Sequence, residues 1–503
     1  MVLERAVQTG GATHGFAESG FKFEMGLQDV GAEVWKGLDA SEPFAHVLAA
    51  ATMSSVEWNR LKDVSYKIYI GDEEFLVKST WTEFRADLVK KFPSEEAAID
   101  KFYALIKETR SEAVGWMFSK LPANVRPGGI AHRVTETLKI GGSKDPHGTA
   151  GARAFSRMAL RTVDEVLDDI TNDALLRYCL TFLWAKCGLP PKVASWGAFS
   201  LVVGAFFDGI AYPTGGSASI EKSMVDIIEK HGGIVFVDAK VESIACEKGA
   251  CVGVAMVGGR VIRSEKVVSA IGAANTYERL VPSSMQDFIR APLAALKDLK
   301  WSSYAVLQLF FGFEGDAQSL GLSTASHWFL PAEPDHTENA IKYFLDASFS
   351  VDFPYVHVSF PSAKDPTNPK STAVVFAAAH YDWFRGMTPE DVQAVADEIV
   401  ARLSEKLYSK FPQLKSKVKF VELATPLAHE FHLGANRGAP LGLGHSPSRF
   451  EQEWLRPQSA IKNLVLAGQD VMTCTVVNAS VGGYMGAVTA FPNPVLTKFR
   501  RLF

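Results

Sequence analysis

The chain has 503 residues, 47% hydrophobic and 21% charged, with a formal net charge of −4. That size and apolar content allow two interleaved domains with large cores and exclude wholesale disorder. The slight acidity gives no support for nucleic-acid binding, which usually needs a basic face.

Met1-Val2-Leu3-Glu4 reads as a strand end carrying an acidic residue, followed by a Gly10-Gly11 turn and short extended pieces to about residue 35. A carboxylate at such a strand end is the residue type that accepts both ribose hydroxyls of an adenine nucleotide, and paired glycines let backbone pass close to a phosphate or a flat ring. In "TWTEFRADLVKKF" the spacing of Phe84, Leu88 and Phe92 predicts a helix. "SEEAAIDKFYALIKE" predicts a second, with Ser94 as its N-cap. "VRPGGIAHRV" reads as a loop, and 155–230 as mostly helical, broken at "GLPP" and "YPTGGS". Within that stretch "WGAFSLVVGAFF", Trp196 to Phe207, is too short to span a membrane; it reads as the lining of a core or apolar cavity and leaves membrane-surface association open.

From 231 the period changes to two. Strands are expected at 234–238, 240–246, 251–257, 260–263 and 266–270, with a turn at Gly258-Gly259. "SSYAVLQLFFGFE" and "YVHVSFPS" are further strands, followed by a helix over 389–411. "NLVLAGQD" is a buried strand that delivers Gly468, Gln469 and Asp470 to a turn, and a helix starts near Val477-Asn478. Gly482, Gly483 and Gly486 fall inside that helix, where each glycine costs ~1 kcal/mol against alanine, so a ligand or another backbone is expected to approach. The helix N-terminus offers free N–H groups to an anion, with Asp470 beside it as an acceptor for a sugar-type hydroxyl.

The segments "ERAVQTGGATHGFAESGFKFEMGLQDVG", "YPTGGSASIEKSMVDIIEKHGG", "VDAKVESIACEKGACVGVAMVGGRVIRSEKVVSAIG" and "GHSPSRFEQEWLRPQSAIKNLVLAGQDV" together resemble the flavoprotein family of phytoene desaturases, carotenoid isomerases and retinol saturases. The last segment is most similar to the retinol saturase branch, and the resemblance runs from residue 1 to about 495. It implies an α/β fold: a discontinuous FAD-binding Rossmann-like domain (1–35, 215–275, 440–503) with an interleaved α+β substrate domain (36–214, 276–439). It implies FAD, with NAD(P)H as a candidate electron donor, and chemistry on a carbon–carbon double bond of an apolar retinoid or carotenoid. By position, Glu4 would hold the adenosine ribose. Gly10, Gly11 and Ala12 would run beside the pyrophosphate and flavin, and Val241 would meet the adenine through its backbone. Gly468, Asp470 and Val477 would face the ribityl or phosphate side.

Two departures accompany the resemblance. The family's first strand and its G-x-G-x-x-G turn are missing, so the chain reads as N-terminally truncated; a decayed copy with a binding role and no catalysis is the alternative. Gln28-Asp29 stand where relatives tend to carry a His-Tyr pair, which points to altered specificity if the pair meets substrate. Tyr212 and Gln28 are candidate proton donors by motif position only, and no catalytic residue is assigned. His380 and Tyr381 read as core, and His445 as shaping a turn. Neither a metal pattern nor a G-x-S-x-G elbow occurs, and the five cysteines, without a CxxC, read as reduced intracellular thiols. The "WLRP…GQD" segment argues against an amine-oxidase-like enzyme on the same fold.

Overall fold

The computed structural model describes residues 1–31, 34–36, 43–122, 149–299, 304–332 and 336–491. The loop expected at 125–134 lies outside them. Its largest sheet has seven strands in the order Val418–Ala424, Ala305–Phe313, Thr372–Ala379, Val356–Ser359, Ser326–Leu330, Val64–Ile70, Glu73–Lys78. Only Ser326–Leu330 and Val64–Ile70 run parallel; the other neighbours are antiparallel.

Side-chain alternation along these strands decides what each face does. In Ala305–Phe313, every residue is buried. Leu307, Leu309 and Phe311 pack with Ile399, Leu403 and Leu407 of the helix Pro389–Lys410. Val306 and Gln308 turn to the opposite face. The same alternation puts His357, Phe376 and Trp328 on that opposite face. Register then aligns them: Trp328 pairs with His357, His357 with Phe376, and Phe376 with Gln308. One row of side chains thus crosses four strands. The Trp328 and His357 rings stack at 4.3 Å, and those of His357 and Phe376 at 5.7 Å.

Among the described residues five smaller sheets accompany it, and three of them involve the N-terminal strand and residues 235–269 and 464–466. Val2–Leu3 pairs in parallel with Val235–Phe236, Val267–Ser269 in parallel with Leu464–Leu466, and Val241–Arg263 forms a three-stranded antiparallel sheet. The helix Val476–Ala490 packs beneath Leu464–Leu466. A Cβ on Gly482 would clash with the Gly468 carbonyl, and one on Gly486 would lie 2.8 Å from the Ala467 Cβ. Two of the three helix glycines therefore exist so that a strand-to-turn backbone can approach; a Cβ on Gly483 meets nothing within 4 Å.

Several local expectations are corrected. Ser94 is not a cap: it sits in the 3₁₀ turn Pro93–Glu95, and the helix Glu96–Ser119 begins after Glu95 without a side-chain cap. The preceding helix, Trp81–Lys91, is capped by the Thr80 hydroxyl, and Phe84, Leu88 and Phe92 are buried as expected. The strand expected over 234–238 is only Val235–Phe236, because its partner Val2–Leu3 is two residues long. A strand, Ile210–Pro213, interrupts the stretch read as helical; it is held between Val30–Gly31 and Trp58–Leu61. The strands between 58 and 78 were not anticipated from sequence at all. The hairpin Gly15–Glu18/Phe21–Glu24 carries Phe21 and Phe23 onto Phe310 and Val374 of the large sheet.

Candidate functional site

A cavity of about 370 Å³ lies between the row of sheet residues and the glycine turn of the N-terminal segment. One end is backbone-rich. Gly10, Ala12 and Thr13 face it, as do Gln469 and Thr475 to Ala479 at the start of the helix Val476–Ala490. The first amides of a helix have no intrahelical carbonyl to bond, so this end offers donors and the positive end of the helix dipole to an anion. Thr475 holds φ +88° and ψ 151°, a region almost reserved for glycine, while its hydroxyl accepts from the Asn478 amide at 3.2 Å. Such a conformation costs ~1–3 kcal/mol and persists only where surrounding packing enforces it. Here the Asn478 side chain, 2% exposed and bonded to Thr473, Cys474 and Leu201, does so.

The other end is apolar and aromatic, with Trp328, Phe376, Tyr304, Tyr355 and Phe206 in its wall. Leu201, Val202, Ala205 and Phe206 come from the segment Trp196–Phe207, which is buried and lines the cavity. Among the described residues no helix is long and apolar enough to cross a membrane, and no His/Cys/Asp/Glu cluster could hold a metal ion.

Set into the apolar end is a buried charge cluster. Asp29 is 5% exposed; its Oδ1 lies 2.5 Å from Lys186 Nζ and its Oδ2 3.8 Å from Lys364 Nζ. Lys364 donates to the Gln28 carbonyl, Ser326 Oγ and Ser359 Oγ at 2.8–2.9 Å. Burial alone would raise the Asp29 carboxyl, but Lys186 and Lys364 outweigh it and hold it below its ordinary range. Burial pushes Lys364 down to about 8 and keeps His357 well below its ordinary value, so that ring is neutral. Lys186 is on the cavity wall, with its ammonium 4.5 Å from the Phe206 ring.

The residues singled out from sequence are divided by the structure. Gly10, Ala12 and Val477 line the cavity; Gln28 and Asp29 do too. Glu4 is half-buried and its carboxylate accepts from the Ala6 amide at 2.8 Å. Gly11 opens the 3₁₀ turn Gly11–Thr13, and Val241 pairs with Met256 in the antiparallel sheet. Gly468 makes a turn at φ +86°. Asp470, 4% exposed, accepts from the Ala273 amide at 2.7 Å and the Leu443 amide at 3.0 Å, and lies 4.0 Å from Arg449. None of these five is in the cavity wall. Outside that wall, too, are Tyr212, whose hydroxyl meets Glu24, and His380 and Tyr381, bonded to the Tyr343 carbonyl and Glu430. The His445 ring accepts from the Cys474 amide at 3.1 Å. Lys186, His357, Gln308 and Lys364 were missed. The available signal was a lone polar residue in an apolar run, as in "FLWAKCGL", "YVHVSF" and "AVLQLFF".

Glu24, outside the cavity wall, shows how costly ionisation is in the buried interior. It is 9% exposed, accepts from the Ser217 amide at 2.6 Å, and burial lifts it to about 7. The folded protein therefore keeps this proton over a range where the unfolded chain has lost it, and stability falls as pH rises from about 4.5 to 7. We predict that Glu24→Gln is more stable than the parent at pH 8, by up to about 3 kcal/mol, and gains nothing at pH 4. Thermal midpoints at the two pH values check this; parallel profiles for both proteins would refute it.

The family model for flavin-containing amine oxidoreductases matches residues 1–484. An all-trans-retinol 13,14-reductase of Danio rerio is 30% identical, over 97% of this chain and 80% of its own length. A chloroplastic prolycopene isomerase of Daucus carota is 24% identical, over 87% of this chain and 67% of its own. Among solved structures, an oxidoreductase from Methanosarcina mazei shares the fold, with a TM-score of 0.56 at 14% identity over 95% of this chain and 92% of that one.

Proposed function

The chain belongs to the flavin-containing amine oxidoreductase family, and on that footing we propose that it is an FAD-dependent oxidoreductase acting on a carbon–carbon double bond of an apolar isoprenoid, a retinoid or carotenoid. The observation that carries this reading is one cavity with a backbone-donor end and an aromatic end. The family model is named for amine oxidoreductases, while the reductase and isomerase relatives are named for retinol and prolycopene; the apolar cavity suits the latter substrates.

The residues present fit a flavin dinucleotide. Thr475, Val476 and Val477 present helix-terminal amides, and Gly10 and Ala12 form the facing wall without bulky side chains. In this reading those residues hold the cofactor, Glu4 receives its ribose, and Gly468 with Asp470 shapes the turn that presents Gln469. The described residues of 1–35, 215–275 and 440–503 form the cofactor unit, and those of 36–214 and 276–439, with the seven-stranded sheet, the substrate unit. Bound flavin supplies hydride transfer to or from a carbon of the double bond. Trp328, Phe376 and Phe206 position the polyene and exclude water, and a reduced nicotinamide dinucleotide is the electron donor for saturation.

The test is direct. The purified protein should release FAD on denaturation, and its reduced form, kept anaerobic, should be reoxidised by retinol or a carotene with a product of altered double-bond number or geometry. A folded protein that neither contains nor takes up FAD refutes the reading. FAD binding without turnover of either polyene class favours the binding role without catalysis.

A further inference from the structure

The apolar end of the cavity contains more polar capacity than an isoprenoid hydrocarbon can use. Both side-chain atoms of Gln28 and of Gln308, and His357 Nε2, are buried without a hydrogen-bond partner. The three residues are 6%, 1% and 4% exposed, and all line the cavity. Buried polar atoms left unbonded destabilise a fold, and five of them gathered on one cavity wall supply hydrogen-bonding capacity to whatever occupies it. The charges are unbalanced in the same place. Asp29 faces two lysines. Lys186 is the closer partner, bonded to Asp29 Oδ1 at 2.5 Å, while Lys364 lies 3.8 Å from Oδ2 and is enclosed by the Gln28 carbonyl and two serine hydroxyls. Two ammonium groups against one carboxylate leave the cluster with one positive charge in excess, and Lys186, on the wall, is the cation that an anion in the cavity reaches.

We propose that this end of the cavity is a subsite for a carboxylate carried by the otherwise apolar substrate, with Lys186 as its ion-pair partner and Gln28, Gln308 and His357 as its hydrogen-bond partners. This rests on the oxidoreductase reading above and narrows its substrate to an isoprenoid acid. An anionic oxygen edge could also come from the flavin ring, and the experiment separates the two sources.

The experiment measures binding of retinoic acid, retinol and the matching methyl-terminated polyene to the FAD-loaded protein, by quenching of tryptophan fluorescence. The acid should bind at least about tenfold more tightly than the hydrocarbon, a difference of about 1.4 kcal/mol. Lys186→Met should abolish that preference, Lys186→Arg should keep it, and Gln308→Leu should reduce it. Equal binding of acid and hydrocarbon overturns the proposal while leaving the oxidoreductase reading intact. A preference that survives Lys186→Met overturns it as well. A shift in flavin reduction potential in Lys186→Met, with the ligand preference unchanged, assigns the subsite to the flavin instead and overturns it. Failure of all three polyenes to bind overturns both this proposal and the reading it rests on.

Discussion

Replacing Asp29 with alanine is expected to destabilise the folded protein by about 3–5 kcal/mol, because it leaves a buried lysine without its counter-charge. Lys364 is 2% exposed, and Asp29 is the carboxylate paired with it. The loss should be read by denaturant unfolding at pH 7, with the slope checked so that a change in denatured-state compactness is not mistaken for it. The double variant Asp29→Ala, Lys364→Met should recover part of the loss, since it removes the orphaned charge together with its partner. A single variant within about 1 kcal/mol of the parent would mean that the three oxygen acceptors of Lys364 suffice without Asp29. The pH dependence has two parts. Asp29, held below its ordinary range, contributes stability above that range, and this is lost as pH falls through its folded value. Lys364, lowered to about 8, gives up its proton in the folded state before the unfolded chain does. Stability should therefore rise between about pH 8 and the ordinary lysine value of ~10.4.

Asp470→Ala is expected to lower the thermal midpoint of the apoprotein by an amount worth about 3–5 kcal/mol. The carboxylate ties the amide of Ala273 to that of Leu443, and faces Arg449, which is 3% exposed. Arg449 in turn donates to the carbonyls of Leu443, Gln469, Asp470 and Met472. Removing the carboxylate therefore unties three chain segments and leaves a buried guanidinium without its anion. The strand-to-helix position alone suggested a bond to a cofactor hydroxyl. That would cost about tenfold to hundredfold in FAD affinity and leave the apo midpoint unchanged. Measuring both quantities on one variant separates the cases. A lowered midpoint identifies Asp470 as the tie; reduced affinity at an unchanged midpoint returns it to the cofactor.

The elements legible in the sequence were those whose cause is local. The apolar run of Leu464–Leu466, the turn at Gly468, the helix Val476–Ala490 and the helix Pro389–Lys410 each follow from periodicity and punctuation within a few residues. The same holds for Ala305–Phe313, though its pattern did not tell that Gln308 would face a cavity. The glycines at 482 and 486 announced a close approach, but not that the neighbour was the backbone of Gly468 and Ala467. What only the tertiary structure decided was which local pieces meet. Val2–Leu3 finds Val235–Phe236, and the row Trp328, His357, Phe376, Gln308 exists only because four strands settle in one register. Asp29 meets Lys186 across 157 residues of chain. A single charged residue in an apolar segment shows in the sequence as an anomaly. Whether it is a solvated surface charge or part of a buried cluster depends on the burial and counter-charge that distant segments supply, because desolvation and Coulomb energy are set by the folded surroundings and not by chain neighbours.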